Sequence, residues 1–168
     1  LDIVKDLYGP EHSSVANGKH NLAKLYQKTG RFMQAEALFN EAIGIWKTKR
    51  GDQHPLIAEG MHNLGLLYME EGQYLQARTA METAKGIRMN QLGTDHPDYG
   101  NSANGLGQLY WQMGKHEDAA LYLKEAALLQ KKLLGHAVKH LTETEQGDYA
   151  DRFLEIQDLY YSYARDFG

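Results

Sequence analysis

Apolar residues recur along this chain on two spacings at once. Leu22, Ala23 and Tyr26 lie about one helical turn apart, and the small and large apolar residues after them, Ala35, Leu38, Phe39 and Ala42, recur at helical spacing. That period places them on one face of an α-helix. The same columns then return every 42 residues. Leu22, Leu64 and Leu106 align, as do Tyr26, Tyr68 and Tyr110. Ala35, Ala77 and Ala119 form a third column, Phe39, Met81 and Leu123 a fourth, and Ala42, Ala84 and Ala126 a fifth. A small residue follows the leucine each time: Ala23, Gly65, Gly107.

Each unit predicts a helix, a tight turn and a second helix. Gly30, Gly72 and Gly114 stand where the first helix must stop, because glycine enters the left-handed region without a Cβ penalty. Phe32 restarts the chain. Small columns mark where two helices approach closely, and large columns fill the space between them. One such hairpin cannot bury its apolar face alone, so neighbours must stack. The expected organisation is the end of a preceding unit over 1–8, three full units over 9–50, 51–92 and 93–134, and a terminal helix over 135–168.

A second joint recurs at the same offset: "GPEHS" from Gly9, "GDQHP" from Gly51 and "GTDHP" from Gly93. An acid, a histidine and a tight turn suggest a chemical site. The phasing argues for a structural joint instead. Gly51 stops a long helix, Pro55 suits the first turn of the next, and His54 or Asp52 can cap the free amides there. His12, His54 and His96 sit one unit apart, about 10 Å or more at helix-packing distances. That is too far for one metal to gather them. No metal or other cofactor is expected.

Several smaller features carry no chemistry on this reading. "NGLG" around Gly105 and Gly107 lies inside a predicted helix with no strand before it, unlike a phosphate loop. His136 and His140 are four apart but lack a third ligand. Met33, Met61, Met69, Met81, Met89 and Met113 are expected, for the most part, to fill gaps on helix faces. No acid, base and nucleophile converge, so the chain is not expected to be an enzyme.

The ends differ from the middle. "LDIVKDLY" at the start aligns with Ile43 to Arg50, so the chain is expected to begin inside a repeat, as a piece of a longer array. After Gly135 the pattern fails. Thr142 and Glu145 form a capping box, and Tyr149, Phe153, Ile156, Tyr160, Tyr163 and Phe167 make an apolar stripe on one expected helix. That helix is read as a cap over the last repeat.

Composition narrows the classes further. The 168 residues contain no cysteine, which excludes disulfides, zinc ribbons and thiol catalysis and suits a reducing compartment, so a cytoplasmic location is expected. No apolar run reaches the length of a membrane span. Net charge is −4, and residues 142–168 carry seven acids against two arginines, leaving the rest close to neutral. No basic stripe is present, so no nucleic-acid partner is expected.

The repeated strings "NLAKLYQKTGRFMQAEALFNEA", "NLGLLYMEEGQYLQARTAMETA" and "GLGQLYWQMGKHEDAALYLKEA" resemble the tetratricopeptide repeat. The 42-residue unit, with a long second helix and a "G-x-x-H-P" joint, is similar to the kinesin light chain type. The resemblance covers roughly residues 9 to 134 and implies an all-α, right-handed α-solenoid of helix-turn-helix repeats. It also implies a concave groove lined by the first helix of each repeat, opposite the buried columns. That stripe holds Asn17, His20, Asn21, Lys24, Gln27 and Lys28 in the first repeat. It holds Glu59, His62, Asn63, Leu66, Met69 and Glu70 in the second, and Asn101, Asn104, Gln108, Trp111 and Gln112 in the third. In such repeats the asparagine before the leucine clamps an extended peptide backbone, since its amide both donates and accepts. Asn21 and Asn63 match that position, and Gly105 stands there in the third repeat. Met69 and Trp111 would be apolar anchors.

The expected function is non-catalytic binding of an extended peptide or protein segment in that groove. Two rivals are kept. "LTETEQGDYADRFLEIQDLYYSYA" resembles the segment joining bacterial tetratricopeptide arrays to caspase-like CHAT protease domains, which would make this a regulatory array in a larger effector. The apolar edge at Leu1, Ile3, Val4 and Leu7 would instead suit a scaffold that self-associates into homo-oligomers through its exposed ends.

Overall fold

A computed structural model describes residues 9–138. The apolar edge at Leu1, Ile3, Val4 and Leu7, the capping box, the terminal apolar stripe and His140 lie outside the described residues. All regular structure among the described residues is helical: α1 Ser13–Lys28, α2 Phe32–Arg50, α3 Pro55–Glu70, α4 Tyr74–Leu92, α5 Pro97–Gln112 and α6 His116–Val138. They fall into two compact units that divide between Thr94 and Asp95. In the first, α1 packs on α2, α2 on α3 and α3 on α4, with α1 also touching α3; in the second, α5 packs on α6.

The turn inside each helix pair is the same hydrogen-bonded device three times. Gly30 takes φ +73. Its N–H donates to Gln27 O at 3.0 Å, and Arg31 N–H donates to Tyr26 O at 2.9 Å. These two bonds define a Schellman motif and satisfy carbonyls that the helix end would otherwise leave open. Gln73 N–H to Tyr68 O and Lys115 N–H to Tyr110 O repeat the outer bond at 2.8 and 2.9 Å.

The joint that follows α2 works differently. Gly51 has φ 82 and ψ 162, a region open essentially to glycine alone. His54 then caps α3: its Nδ1 accepts from Leu56 N–H at 3.2 Å, and Pro55 occupies the first turn. His12 Nδ1 accepts from Ser14 N–H at 3.1 Å, and His96 Nδ1 accepts from Asp98 N–H at 3.1 Å. Of the two capping candidates at the second joint, histidine takes the amide. Asp52 instead faces Lys47 Nζ at 4.0 Å.

α6 departs from the pattern. It runs through Gly135 to Val138, past the point where the 42-residue offset would place the next joint. Gly135 is followed by His136-Ala137-Val138 and no proline, so nothing in the sequence stops the helix there.

The core takes in members of the repeat columns together with residues outside them. Phe39, Trp46, Ile57 and Leu67 are buried in the first unit, and Leu106 and Leu109 in the second. Each such side chain contributes about 1.5–3 kcal/mol relative to exposure. The small columns do mark close approach. A Cβ at Gly65 would meet Met81 Cγ at 2.6 Å, and one at Gly107 would meet Leu123 Cγ at 2.7 Å. Two methionines are exceptions to the gap-filling role. Met81 is fully buried, but Met33 and Met89 are 84% and 48% exposed, because they fall on the outward side of the second helices and fill no gap.

Candidate functional site

The first helices α1 and α3 lie side by side in the first unit, and two pairs of side chains set their register. Asn63 Nδ2–H donates to His20 Nε2 at 2.8 Å. Gln27 Nε2–H donates to Glu70 Oε1 at 2.8 Å. Both pairs are 43 residues apart, and seven residues separate them on each helix. Seven residues are close to two helical turns, so α1 and α3 run parallel and in phase.

This register divides the predicted stripe in two. His20 and Gln27 turn into the seam with α3. Asn17, Asn21, Lys24 and Lys28, stepping by four, three and four, are exposed along α1. On α3, Glu59, His62, Asn63 and Leu66 are half-buried and Glu70 is exposed. The structure thus brings the first two sets of predicted residues together on adjacent helices. Asn101, Gln108 and Gln112 are exposed on α5 and Asn104 and Trp111 half-buried, in the second unit.

Two members of the predicted groove are not available as liners. His20 is only 4% exposed; its ring packs at centroid distances of 5.5 Å on Phe39 and 5.4 Å on Trp46, both of α2. Met69, 9% exposed, is buried rather than presented as an anchor. Asn17 also has a structural task, since its Oδ1 accepts from Trp46 Nε1–H at 3.2 Å. Helical spacing alone does not separate these from their neighbours. It cannot resolve which edge of a stripe meets the next helix. Trp46 and Phe39, absent from the predicted site, decide the point by filling the seam behind His20.

The electrostatics of the seam follow from that burial. Burial holds the His20 pKa below its ordinary 6.5, against the Glu59 carboxylate, which pulls it up, and with Lys24, which pushes it down. Glu59 Oε1 lies 3.9 Å from His20 Nδ1. On the far side of α3, Tyr68 donates its hydroxyl to Glu36 Oε1 of α2 at 2.6 Å. Its pKa is pushed up to about 12 by burial first and by that hydrogen bond second.

Among the described residues no group of three or more His, Cys, Asp or Glu is placed to hold a metal ion. No helix among them is long and apolar enough to cross a membrane. The joint histidines use their Nδ1 lone pairs as helix caps.

The tetratricopeptide repeat family matches residues 14–69 and 56–132, and the chain belongs to that family. Its repeats are of the kinesin-light-chain-like kind. The crystal structure of BtubC (BKLC) from P. vanneervenii is similar, with a TM-score of 0.73 and 27% identity over 80% of this chain. The chain spans 54% of that protein's length. A putative kinesin light chain with nearly identical TPR-like repeats from Podosopora anserina shares the fold, with a TM-score of 0.67 and 22% identity over 95% of this chain and 82% of its own. A variant of it gives a TM-score of 0.68 and 22% identity, over 96% of this chain and 83% of its own. No curated protein matches the chain. Tetratricopeptide repeats generally mediate protein–protein interaction and are generally non-enzymatic.

Proposed function

We propose that the chain binds an extended peptide or protein segment along the face formed by α1 and α3. The observation that carries this reading is the in-phase parallel register of the two helices. Asn21 and Lys24 belong to one of these helices, and Asn63 and Leu66 to the other. Amides both donate and accept, as an extended backbone requires. Half-buried Leu66 supplies the apolar contact, and Lys24 and Lys28 supply charge at the rim. Met69 drops out as an anchor.

The test selects a linear peptide from a displayed random library on the full chain and measures its affinity by calorimetry. Asn21→Ala with Lys24→Ala is expected to weaken it about tenfold or more, a typical consequence of losing hydrogen-bonding contacts at an interface. Helicity by circular dichroism stays at the parent level. A peptide whose affinity ignores both substitutions would refute the reading, as would a library that yields no binder.

A further inference from the structure

Asn63 has a feature that a simple clamp does not need: its carboxamide is already held by a buried histidine. We propose that His20 is a positioning residue for Asn63, fixing which end of the amide faces the bound segment and reversing it on protonation. This rests on the binding face proposed above.

The geometry assigns the proton. Asn63 Nδ2 carries only donors, so its partner, His20 Nε2, must be the bare nitrogen. The imidazole proton therefore sits on Nδ1, the nitrogen 3.9 Å from Glu59 Oε1. That separation exceeds a direct hydrogen bond, but the carboxylate still favours a proton on the nearer nitrogen. The rings of Phe39 and Trp46, tilted by 58° and 60° to the imidazole, fix its plane. With Nδ2 held inward, amide geometry turns the Asn63 carbonyl oxygen away from His20. The face then offers an acceptor, suited to a backbone N–H of an extended ligand.

Protonation reverses this. Both imidazole nitrogens then donate, and Nε2–H meets an amide N–H. The carboxamide relieves the clash by turning half a turn about its last bond, with the oxygen inward and the NH2 outward. The face then offers a donor where the ligand needs an acceptor. The charged groups facing His20 are Glu59 from α3, which favours the proton, and Lys24 from α1, which opposes it. The α2 side contributes the uncharged rings of Phe39 and Trp46. Burial adds to the opposition, so the neutral arrangement is the one held at neutral pH.

The experiment has an arm that needs no ligand. Nitrogen-15 NMR of the imidazoles in the full chain at neutral pH should show His20 as the Nδ1–H tautomer. The Asn63 side-chain NH2 signals should move with the His20 titration. An Nε2–H tautomer, or Asn63 signals blind to that titration, would overturn the proposal. In His20→Gln, a carboxamide oxygen can take the same Asn63 N–H without binding a proton, so the Asn63 signals should lose their acid step. The second arm titrates the library-selected peptide against pH. Affinity of the parent chain should fall about tenfold or more as His20 protonates, and the His20→Gln profile should be flat across that step. Equal acid loss in both proteins would overturn the proposal. A correct tautomer and a coupled Asn63 signal, with no peptide bound at any pH, would instead refute the binding face and leave the positioning intact.

Discussion

Gln27 and Glu70 meet at 2.8 Å across 43 residues, and His20 and Asn63 meet at 2.8 Å across the same separation. One pair lies at the exposed edge of the seam and the other in its interior, so the two should contribute unequally. Double-mutant cycles measure the coupling directly. Gln27→Ala with Glu70→Ala should give a coupling of a few tenths of a kcal/mol, as surface pairs do. His20→Ala with Asn63→Ala should give about 1 kcal/mol or more, because the interior bond has little water to replace it. Equal couplings would mean that the seam is as wet at His20 as at Gln27.

Glycines in the first and second helices of the repeats should respond in opposite directions. Gly44 in α2 and Gly86 in α4 have nothing within 4 Å of where a Cβ would stand. At the equivalent place in α6 the chain carries Leu128, which is 58% exposed. Gly44→Ala should therefore stabilise by about 0.5–1 kcal/mol through helix propensity. Gly107→Ala gains the same propensity, but its Cβ would stand 2.7 Å from Leu123 Cγ and Cδ2 and 3.3 Å from Leu123 N. Overpacking of about 1–3 kcal/mol should outweigh that gain. Thermal melts of the two variants against the parent would read the signs.

The cap at the second joint makes a third case. His54→Ala removes the acceptor for Leu56 N–H and should cost about 1 kcal/mol. His54→Asn should recover most of it, since asparagine is a good N-cap. Urea midpoints of the three proteins decide this. An alanine variant as stable as the parent would mean that Pro55 alone starts α3.

Two shifted groups give pH dependences of opposite sense. His20 takes a proton less readily folded than unfolded. Its stabilising contribution is thus fully present above 6.5 and is lost as pH falls through the lower folded value. Denaturation of the parent minus that of His20→Gln, followed over pH, isolates this contribution from the exposed histidines. Tyr68 holds its proton more tightly when folded. Its contribution is fully present below 10.0 and lost as pH rises toward about 12. Phenolate absorbance should show Tyr68 ionising late, as the part of the high-pH step that Tyr68→Phe removes.

Much of the fold was legible because each repeat writes the same instructions. Gly30 and Gly51 mark backbone conformations open to few residues, and Pro55 marks a helix start, so these local signals needed no tertiary knowledge. The joint histidines read as caps for the same reason, though the choice between His54 and Asp52 needed the structure. The site was legible only to the level of a helix face. His20 and Asn21 are adjacent in the stripe, yet one is buried and the other exposed. Their difference depends on Trp46, 26 positions beyond His20, and on Asn63, 43 positions away. Such pairings are set by how helices stack, which spacing along one helix does not encode. Gly135 is the converse: it stands at the repeat offset, no proline follows it, and α6 runs through it.

The account turns on which side of the α1–α3 pair is left open to a ligand. Amide chemical shifts of the full chain, recorded while a library-selected peptide is added, test that most directly. The account predicts that changes concentrate at Asn21, Lys24, Lys28, Asn63 and Leu66. Changes concentrated instead around Met33 and Leu75, exposed on the second helices, with Asn21 and Asn63 unmoved, would contradict it.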